Sequence, residues 1–208
     1  MQTQVIDSKP KGLGQTVLIE FLSNLRDQAR NNGNILFFGC GLSHLPLLTA
    51  NRFSRMNVIG YDTNHEKIEA MNMAPLQNPR VNYTSNSPNS LFEIVIAHNV
   101  LHANPEQLTE EALSYLKHGG FIGILDYDMK GIGREDFFNR WGNSGEERKE
   151  QTVLGDDKTY EIHTRFDLQT CINISERRGI KTKIAKGKMT SVGLVPTHHF
   201  IYIGRKEE

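Results

Sequence analysis

Short apolar runs that alternate with helical patterns constrain the fold of this sequence more than any other feature. The first run, "ILFFG", shows no alternation of apolar and polar residues, which is typical of a parallel strand buried on both faces. Strands and helices that alternate along a chain predict a parallel sheet with helices on both sides, a doubly wound α/β domain. Four further runs, "NVIGYD", "RVNYT", "EIVIAH" and "GFIGILDY", repeat the pattern, and helical patterns cover residues 15–30, 43–51, 64–73 and 105–117.

The alternation of strands and helices ends after Asp128. Residues 130–164 are rich in glycine and charge but are interleaved with Phe137, Phe138 and Trp141, so we interpret them as an insertion rather than a linker. A helical pattern over 167–178 leads to "IKTKIA" and "HHFIYIG", which have no helix between them and can pair antiparallel. We therefore expect one α/β domain over 1–208. It would be Rossmann-like, with a mostly parallel seven-stranded sheet, an antiparallel C-terminal strand pair and an insertion after the fifth strand.

The composition argues against several classes of partner. The 208 residues include 24 Lys plus Arg and 24 Asp plus Glu, so no net charge attracts the chain to nucleic acid. The start lacks the apolar core of a signal peptide, and no run approaches the roughly 20 apolar residues of a membrane span. These features predict a cytoplasmic protein without a membrane or nucleic-acid partner. We interpret the basic stretch "ERRGIKTKIAKGK" as a solvated strand edge protected by lysines, and the alternative is a patch that binds an anionic acceptor or RNA.

The two cysteines, Cys40 and Cys171, lie far apart and form neither a disulfide framework nor a metal-binding pair. We interpret both as structural thiols. An Asp and a His on neighbouring predicted strands are too few ligands to indicate a metal, so we predict no metal site.

A glycine turn follows the first strand. Gly39 and Gly41 let the backbone approach a ligand, and the next helix offers free N–H groups to an anionic group. Asp62 ends the second strand, where a carboxylate can accept both ribose hydroxyls of an adenosine-type cofactor. The alternatives are a purely structural turn and a helix cap at Asp62. His44 stands where a dinucleotide site has its third glycine, which disfavours a dehydrogenase.

Taken together, these motifs resemble the class I S-adenosylmethionine-dependent methyltransferases over roughly residues 15–205. "ILFFGCGLS" is similar to their first motif and "VIGYDTNHEKIEAM" to their second, while "VNYTSNS" resembles the turn that holds adenine. "FEIVIAHNVLHA" resembles their fourth strand and the helix that follows, and "YLKHGGFIGILDYD" their Leu-Lys-Pro-Gly-Gly turn and fifth strand.

The resemblance implies S-adenosylmethionine as cofactor and a role for individual residues. Gly39 and Gly41 would lie beside its methionyl and ribose parts, and Asp62 would bind the ribose hydroxyls. Phe37 departs from the family pattern, because it stands where an acid usually helps to hold the cofactor's ammonium group. The other departures are Ser43 for a glycine, Asn86 for an aspartate and His118 for a proline. The remaining implied cofactor-binding residues are Cys40, Tyr61, Thr63, Asn86, His98 and Asn99, with Asn86 facing the adenine amine and Thr63 or Tyr61 packing on its ring.

The acceptor side is expected where the fourth and fifth strands end. Methyl transfer depends mainly on positioning, and a general base is required only if the acceptor must lose a proton. We predict His98, His102 and Asp128 as the catalytic residues. Further candidates at these strand ends are Asn99, Asp126 and Tyr127, and Tyr160 and His163 are candidates for a lid formed by residues 130–164. Phe137, Phe138 and Trp141 would form either a satellite core or the lining of an apolar acceptor pocket.

The sequence thus predicts an S-adenosylmethionine-dependent methyltransferase that acts on a small molecule. Two alternatives stay open: another transferase that uses the same cofactor, for example one that transfers its aminocarboxypropyl group, and a methyltransferase-like binding module without catalysis. Neither the acceptor nor the oligomeric state is indicated by the sequence.

Overall fold

A seven-stranded sheet forms the centre of the protein in a computed structural model, which describes residues 13–29, 33–75, 77–140, 151–192 and 195–207. The strands are β1 (Gly33–Phe38), β2 (Met56–Tyr61), β3 (Val81–Thr84), β4 (Phe92–His98), β5 (Leu116–Tyr127), β6 (Ile180–Val192) and β7 (Val195–Lys206). Their order in the sheet is β3-β2-β1-β4-β5-β7-β6. The first five strands are parallel, and β7 runs antiparallel to both β5 and β6. The predicted fold class, including the antiparallel strand pair, is confirmed.

Helices cover both faces of this sheet. They are α1 (Leu13–Gln28), α2 (Leu45–Arg52), α3 (His65–Met73), α4 (Pro105–Ser114), α5 (Arg134–Arg140), α6 (Asp156–Thr164) and α7 (Leu168–Arg177), and a short 3-10 helix spans Leu101–Ala103. The side chain of Asn64 caps α3 by accepting from the N–H of Lys67, and Asp167 caps α7 in the same way. Among the described residues, no helix is long and apolar enough to cross a membrane.

The core has one layer on each side of the sheet, and β1 supplies both. Ile35 and Phe37 belong to the layer that packs against α1, whereas Leu36 and Phe38 belong to the layer beneath α4 and α7. All four side chains are buried. Apolar residues at successive positions of a strand point to opposite faces, so the unbroken run "ILFF" reports a strand covered on both faces.

The boundary between α4 and β5 differs from the prediction. The helical pattern reaches Lys117 in the sequence, but α4 ends at Ser114 and β5 already begins at Leu116. The reason is tertiary pairing, because Leu116 lies opposite Phe92 in the parallel ladder between β4 and β5. Asn104 occupies the N-cap position of α4 as predicted, but its side chain donates to Gln107 and forms no cap hydrogen bond.

The two cysteines are buried, and part of the basic stretch forms ion pairs. Cys40 and Cys171 are free and buried, and burial raises the pKa of the Cys40 thiol to about 12. In the basic stretch, three side chains form ion pairs: Arg177 with Glu106, Arg178 with Glu110 and Lys186 with Glu20. The stretch begins at the end of α7 and continues into the edge strand β6, as the interpretation of a lysine-protected edge expects.

Candidate functional site

The glycine turn after β1 has a backbone that only glycine adopts readily. Gly39 has φ +65° and Gly41 has φ +52°, both in the left-handed region. A Cβ atom added to Gly39 would lie 2.4 Å from Cγ2 of Val100, in the segment that follows β4. The turn thus brings the ends of β1 and β4 into direct contact, which requires a glycine at position 39, whereas the positive φ at Gly41 favours one.

Asp62 holds this turn against the end of β2. One carboxylate oxygen, Oδ2, accepts a hydrogen bond from the N–H of Gly41 at 2.8 Å, and the other, Oδ1, accepts from the N–H of Asn64 at 2.9 Å. The helix cap is Asn64 and not Asp62, so the interpretation of Asp62 as the cap of α3 is replaced by a bridge between the glycine turn and the start of α3. Each carboxylate oxygen has a second lone pair for a further donor.

Other predicted cofactor-binding residues differ in how much of their side chain faces outward. Tyr61 is 5% exposed, and its ring packs against those of Phe38 and Tyr115 at centroid distances of 5.9 and 6.1 Å. Thr63 and Asn86, in contrast, are exposed. The N–H of Asp62 donates to the carbonyl of Thr84 at 3.3 Å, which holds the turn that carries Asn86 beside the end of β2. Tyr61 therefore supports the floor of the site, while Thr63 and Asn86 lie at its surface.

His98 and Asn99 stand at the carboxyl end of β4. Burial lowers the pKa of His98 to about 4, with His199 and His102 acting in the same direction and Asp126 opposing them. His98 is therefore neutral at pH 7. Asn99 has φ +50° and is the one non-glycine residue of the described chain with a positive φ. Its N–H donates to the carbonyl of Leu125 at 2.9 Å, which fixes it between the ends of β4 and β5.

Asp126 is the buried anchor of this region. It is 0% exposed, and its carboxylate accepts from the backbone N–H groups of Val100, Leu101 and Tyr127 at 2.8–3.1 Å. The imidazole of His102 contacts it through Nδ1 at 2.7 Å. Burial alone would raise the pKa of Asp126, but His102 and the backbone donors outweigh it and hold the pKa below its usual value. Asp126 is therefore ionised and shapes the segment that follows β4.

His102 links Asp126 to aromatic side chains on other segments. It is 7% exposed, and its ring lies 4.5 Å from that of His163 and 5.5 Å from that of Tyr127. The ring of Tyr127 lies 4.9 Å from His199. The sequence interpretation missed His199 because β7 reaches this place only through its antiparallel pairing with β5, in which Tyr127 and His199 are opposite.

The described parts of the insertion contact this group. Phe137 on α5 is 0% exposed, and its ring stacks on that of His163 at 6.3 Å. Tyr160 on α6 donates from its hydroxyl to the carbonyl of Ile132 at 2.6 Å. Since His163 also contacts His102, which follows β4, these parts of residues 130–164 lie at the edge where the parallel strands end. Trp141 lies outside the described residues.

Asp128, the third predicted catalytic residue, is half-buried and lies beside β6, where a Cβ atom added to Gly187 would come 3.8 Å from its Oδ2. Within the described ranges, no group of three or more His, Cys, Asp or Glu side chains could hold a metal ion. The site is thus built from a glycine turn with Asp62 on one side and from His98, Asn99 and the His102–Asp126 pair on the other.

Comparison with known proteins places this architecture among methyltransferases. The chain matches no protein-family model and no curated protein sequence. Its structure is similar to an S-adenosylmethionine-dependent methyltransferase from Methanosarcina mazei, with a TM-score of 0.65 and 14% identity over 88% of this chain and 97% of that one. It is also similar to magnesium protoporphyrin IX methyltransferase from Synechocystis PCC 6803 with bound S-adenosylhomocysteine (TM-score 0.63, 13% identity, 93% and 84% coverage).

A third similar structure is the plantazolicin methyltransferase BpumL in complex with a pentazolic desmethylPZN analogue and S-adenosylhomocysteine. Its TM-score is 0.60 at 16% identity, over 93% of this chain and 85% of that one. The fold is therefore that of S-adenosylmethionine-dependent methyltransferases, as the resemblance of the sequence implied.

Proposed function

We propose that this protein is an S-adenosylmethionine-dependent methyltransferase that acts on a small-molecule acceptor. The observation that carries the proposal is the bridge from Asp62 to the N–H of Gly41 at 2.8 Å, which fixes a left-handed glycine turn beside a strand-end carboxylate. A turn without side chains next to a hydrogen-bond acceptor suits a nucleoside with two ribose hydroxyls.

The residues present fit this cofactor. Gly41 leaves room at the turn, since an added Cβ atom there would meet only Asp62 Oδ2 at 4.0 Å, and Asp62 retains lone pairs for the ribose hydroxyls after accepting its two backbone donors. Thr63 and Asn86 are exposed on the adenine side, where the amide oxygen of Asn86 can accept from the adenine amine. The remaining walls of the cofactor site would be formed by Cys40, Tyr61, His98 and Asn99.

When bound, the cofactor supplies an activated methyl group. The residues of this chain would orient the acceptor and exclude water, because methyl transfer depends chiefly on a correct line of approach. His102 is the best-placed general base. Asp126 accepts the Nδ1–H of its ring and thereby fixes the tautomer in which Nε2 is the proton acceptor. His98 is neutral at pH 7 and offers a second group that can accept a proton. Asp128 is half-buried at the edge of the acceptor side.

The acceptor side would be formed by residues 130–164, acting as a lid. Half-buried Phe138 and Tyr160 support an apolar surface there, since both pack with Phe137 near His163. The similar structures include a magnesium protoporphyrin IX methyltransferase and a plantazolicin methyltransferase, so the fold itself does not restrict the acceptor to one kind of molecule. A small, partly apolar acceptor is the class that this surface favours.

Two measurements test the proposal. S-adenosylhomocysteine should bind with micromolar affinity, about −8 kcal/mol, in calorimetry; no heat and no shift of the melting temperature at millimolar ligand would refute a cofactor site. Incubation with labelled S-adenosylmethionine and metabolite extracts then separates the alternatives. S-adenosylhomocysteine as product indicates methyl transfer, methylthioadenosine indicates aminocarboxypropyl transfer, and binding without turnover indicates a non-catalytic module.

A further inference from the structure

Asn99 combines an uncommon backbone conformation with an unpaired side-chain oxygen. Its backbone is left-handed at φ +50°, a conformation that is uncommon for residues with a side chain, although Asn adopts it more readily than most. Its amide oxygen Oδ1 is shielded from water and has no hydrogen-bond partner. A buried acceptor without a donor is destabilising, and residues that concentrate strain in this way cluster at ligand-binding sites.

The surrounding contacts hold Asn99 in this conformation. Its own N–H is bound to the carbonyl of Leu125, and the N–H groups of the next two residues, Val100 and Leu101, are bound to the carboxylate of Asp126. Val100 in turn contacts the glycine turn at Gly39. Asn99 is therefore fixed one residue away from the place where the turn and the β4 segment meet.

The proposed cofactor carries a hydrogen-bond donor that matches the unpaired oxygen of Asn99. Its amino-acid part carries an ammonium group, which needs hydrogen-bond acceptors once it leaves water. Phe37 offers none, because its side chain is 1% exposed inside the core layer against α1. Asp126 is also engaged, since it already accepts four hydrogen bonds and is fully buried.

We infer that Asn99 Oδ1 accepts a hydrogen bond from the ammonium group of the cofactor's amino-acid part. The inference rests on the proposed function and adds to it the residue that holds this group. Rotation about the last side-chain bond of Asn is soft. The half-buried amide can therefore turn its oxygen toward a ligand while the backbone stays fixed by Leu125.

Two ligands that differ in this part of the cofactor test the inference. S-adenosylhomocysteine contains the ammonium group, whereas 5′-methylthioadenosine keeps the nucleoside and lacks it. Asn99→Gly deletes the amide and tolerates a positive φ, and Asn99→Asp keeps the shape and adds a negative charge. We expect Asn99→Gly to weaken S-adenosylhomocysteine about tenfold or more without changing the Kd of methylthioadenosine, because a hydrogen bond to a charged group is lost. Asn99→Asp should bind S-adenosylhomocysteine at least as tightly as the unmodified protein.

The melting temperature without ligand provides the second readout. Asn99→Gly should melt no lower than the unmodified protein, because the substitution removes both the strained side chain and the unpaired oxygen. Equal weakening of both ligands would assign Asn99 to the shape of the turn and overturn the inference, and so would an unchanged affinity for both. If the unmodified protein binds neither ligand, the proposed function itself is wrong.

Discussion

The two halves of the candidate site are built by different means. On the cofactor side, the turn at Gly39 and Gly41 is held by one carboxylate, Asp62, and nearly all the contacts are made by backbone N–H groups. On the acceptor side, His102 and Asp126 are joined by side-chain contacts to segments that lie far apart in the sequence. The first half is an open turn, and the second is a buried polar cluster.

This difference predicts opposite responses to mutation. A backbone-built turn can lose its carboxylate and still fold, since the N–H groups that it releases are only partly buried. A buried cluster loses far more stability in the same situation, because every donor around the missing acceptor is left unpaired in a medium of low dielectric constant. Substitutions on the cofactor side should therefore reduce binding most, whereas those on the acceptor side should reduce stability most.

The largest effect is expected for Asp126→Ala. The change leaves His102 and three backbone N–H groups without their acceptor, and because each buried donor left unpaired costs about 1–3 kcal/mol, we expect a loss of about 3 kcal/mol or more. Chemical denaturation measures the loss in the free energy of unfolding. Asp128→Ala is the matched control, because Asp128 is only half-buried and its loss should cost about 1 kcal/mol. Equal stability of the two variants would contradict the buried-anchor role of Asp126.

These expectations also show which parts of the molecule can be predicted from sequence. The unbroken apolar run of β1 predicts a strand covered on both faces, and Gly39 with Gly41 predicts a left-handed turn, because each is a local rule of the backbone. The pairing of His102 with Asp126 follows no local rule. The sequence places both residues near the ends of neighbouring strands, but their contact depends on the register between β4 and β5, which no local rule gives.

Tertiary contacts also explain the other differences between the sequence-based expectations and the structure. The helical pattern up to Lys117 is a genuine local preference, and the pairing of Leu116 with Phe92 overrides it. His199 could not be connected to the site, since its place depends on the antiparallel register of β7. The insertion could be delimited by its composition, but which of its aromatic residues is buried, Phe137, and which is only half-buried, Phe138, depends on how α5 packs.

The second prediction tests the cofactor side. Asp62→Ala should weaken S-adenosylhomocysteine by roughly 2–3 kcal/mol, because charge-assisted hydrogen bonds to two hydroxyls are lost. Calorimetry gives the change in Kd. The control is Asn64→Ala, which removes the cap of α3 and should lower stability by about 1 kcal/mol while the Kd stays the same. An Asp62→Ala protein that binds normally and only melts earlier would show that the bridge to Gly41 is merely structural.

The third prediction uses pH and concerns His98. Its pKa is about 4 in the folded protein and about 6.5 as a free side chain, so folding favours the neutral form. The unfolded chain therefore binds more protons between these values, and the stabilisation, complete above pH 6.5, is lost as the pH falls toward 4. His98→Gln should flatten this part of the curve of melting temperature against pH. An unchanged slope of this curve in His98→Gln would argue against a neutral His98 at the end of β4.

The smallest effect is expected for the fluorescence of Trp141, which lies in the proposed lid, residues 130–164. Trp141 is the single tryptophan and follows directly on α5, whose Phe137 is anchored against His163. If residues 130–164 close over bound cofactor, the indole moves between water and apolar surroundings, and its fluorescence emission should shift on addition of S-adenosylhomocysteine. The shift should follow the Kd from calorimetry, and in Asp62→Ala it should require correspondingly more ligand. Saturating ligand without any change in emission would mean that the acceptor side does not respond to the cofactor side, and the proposed lid would be a fixed wall.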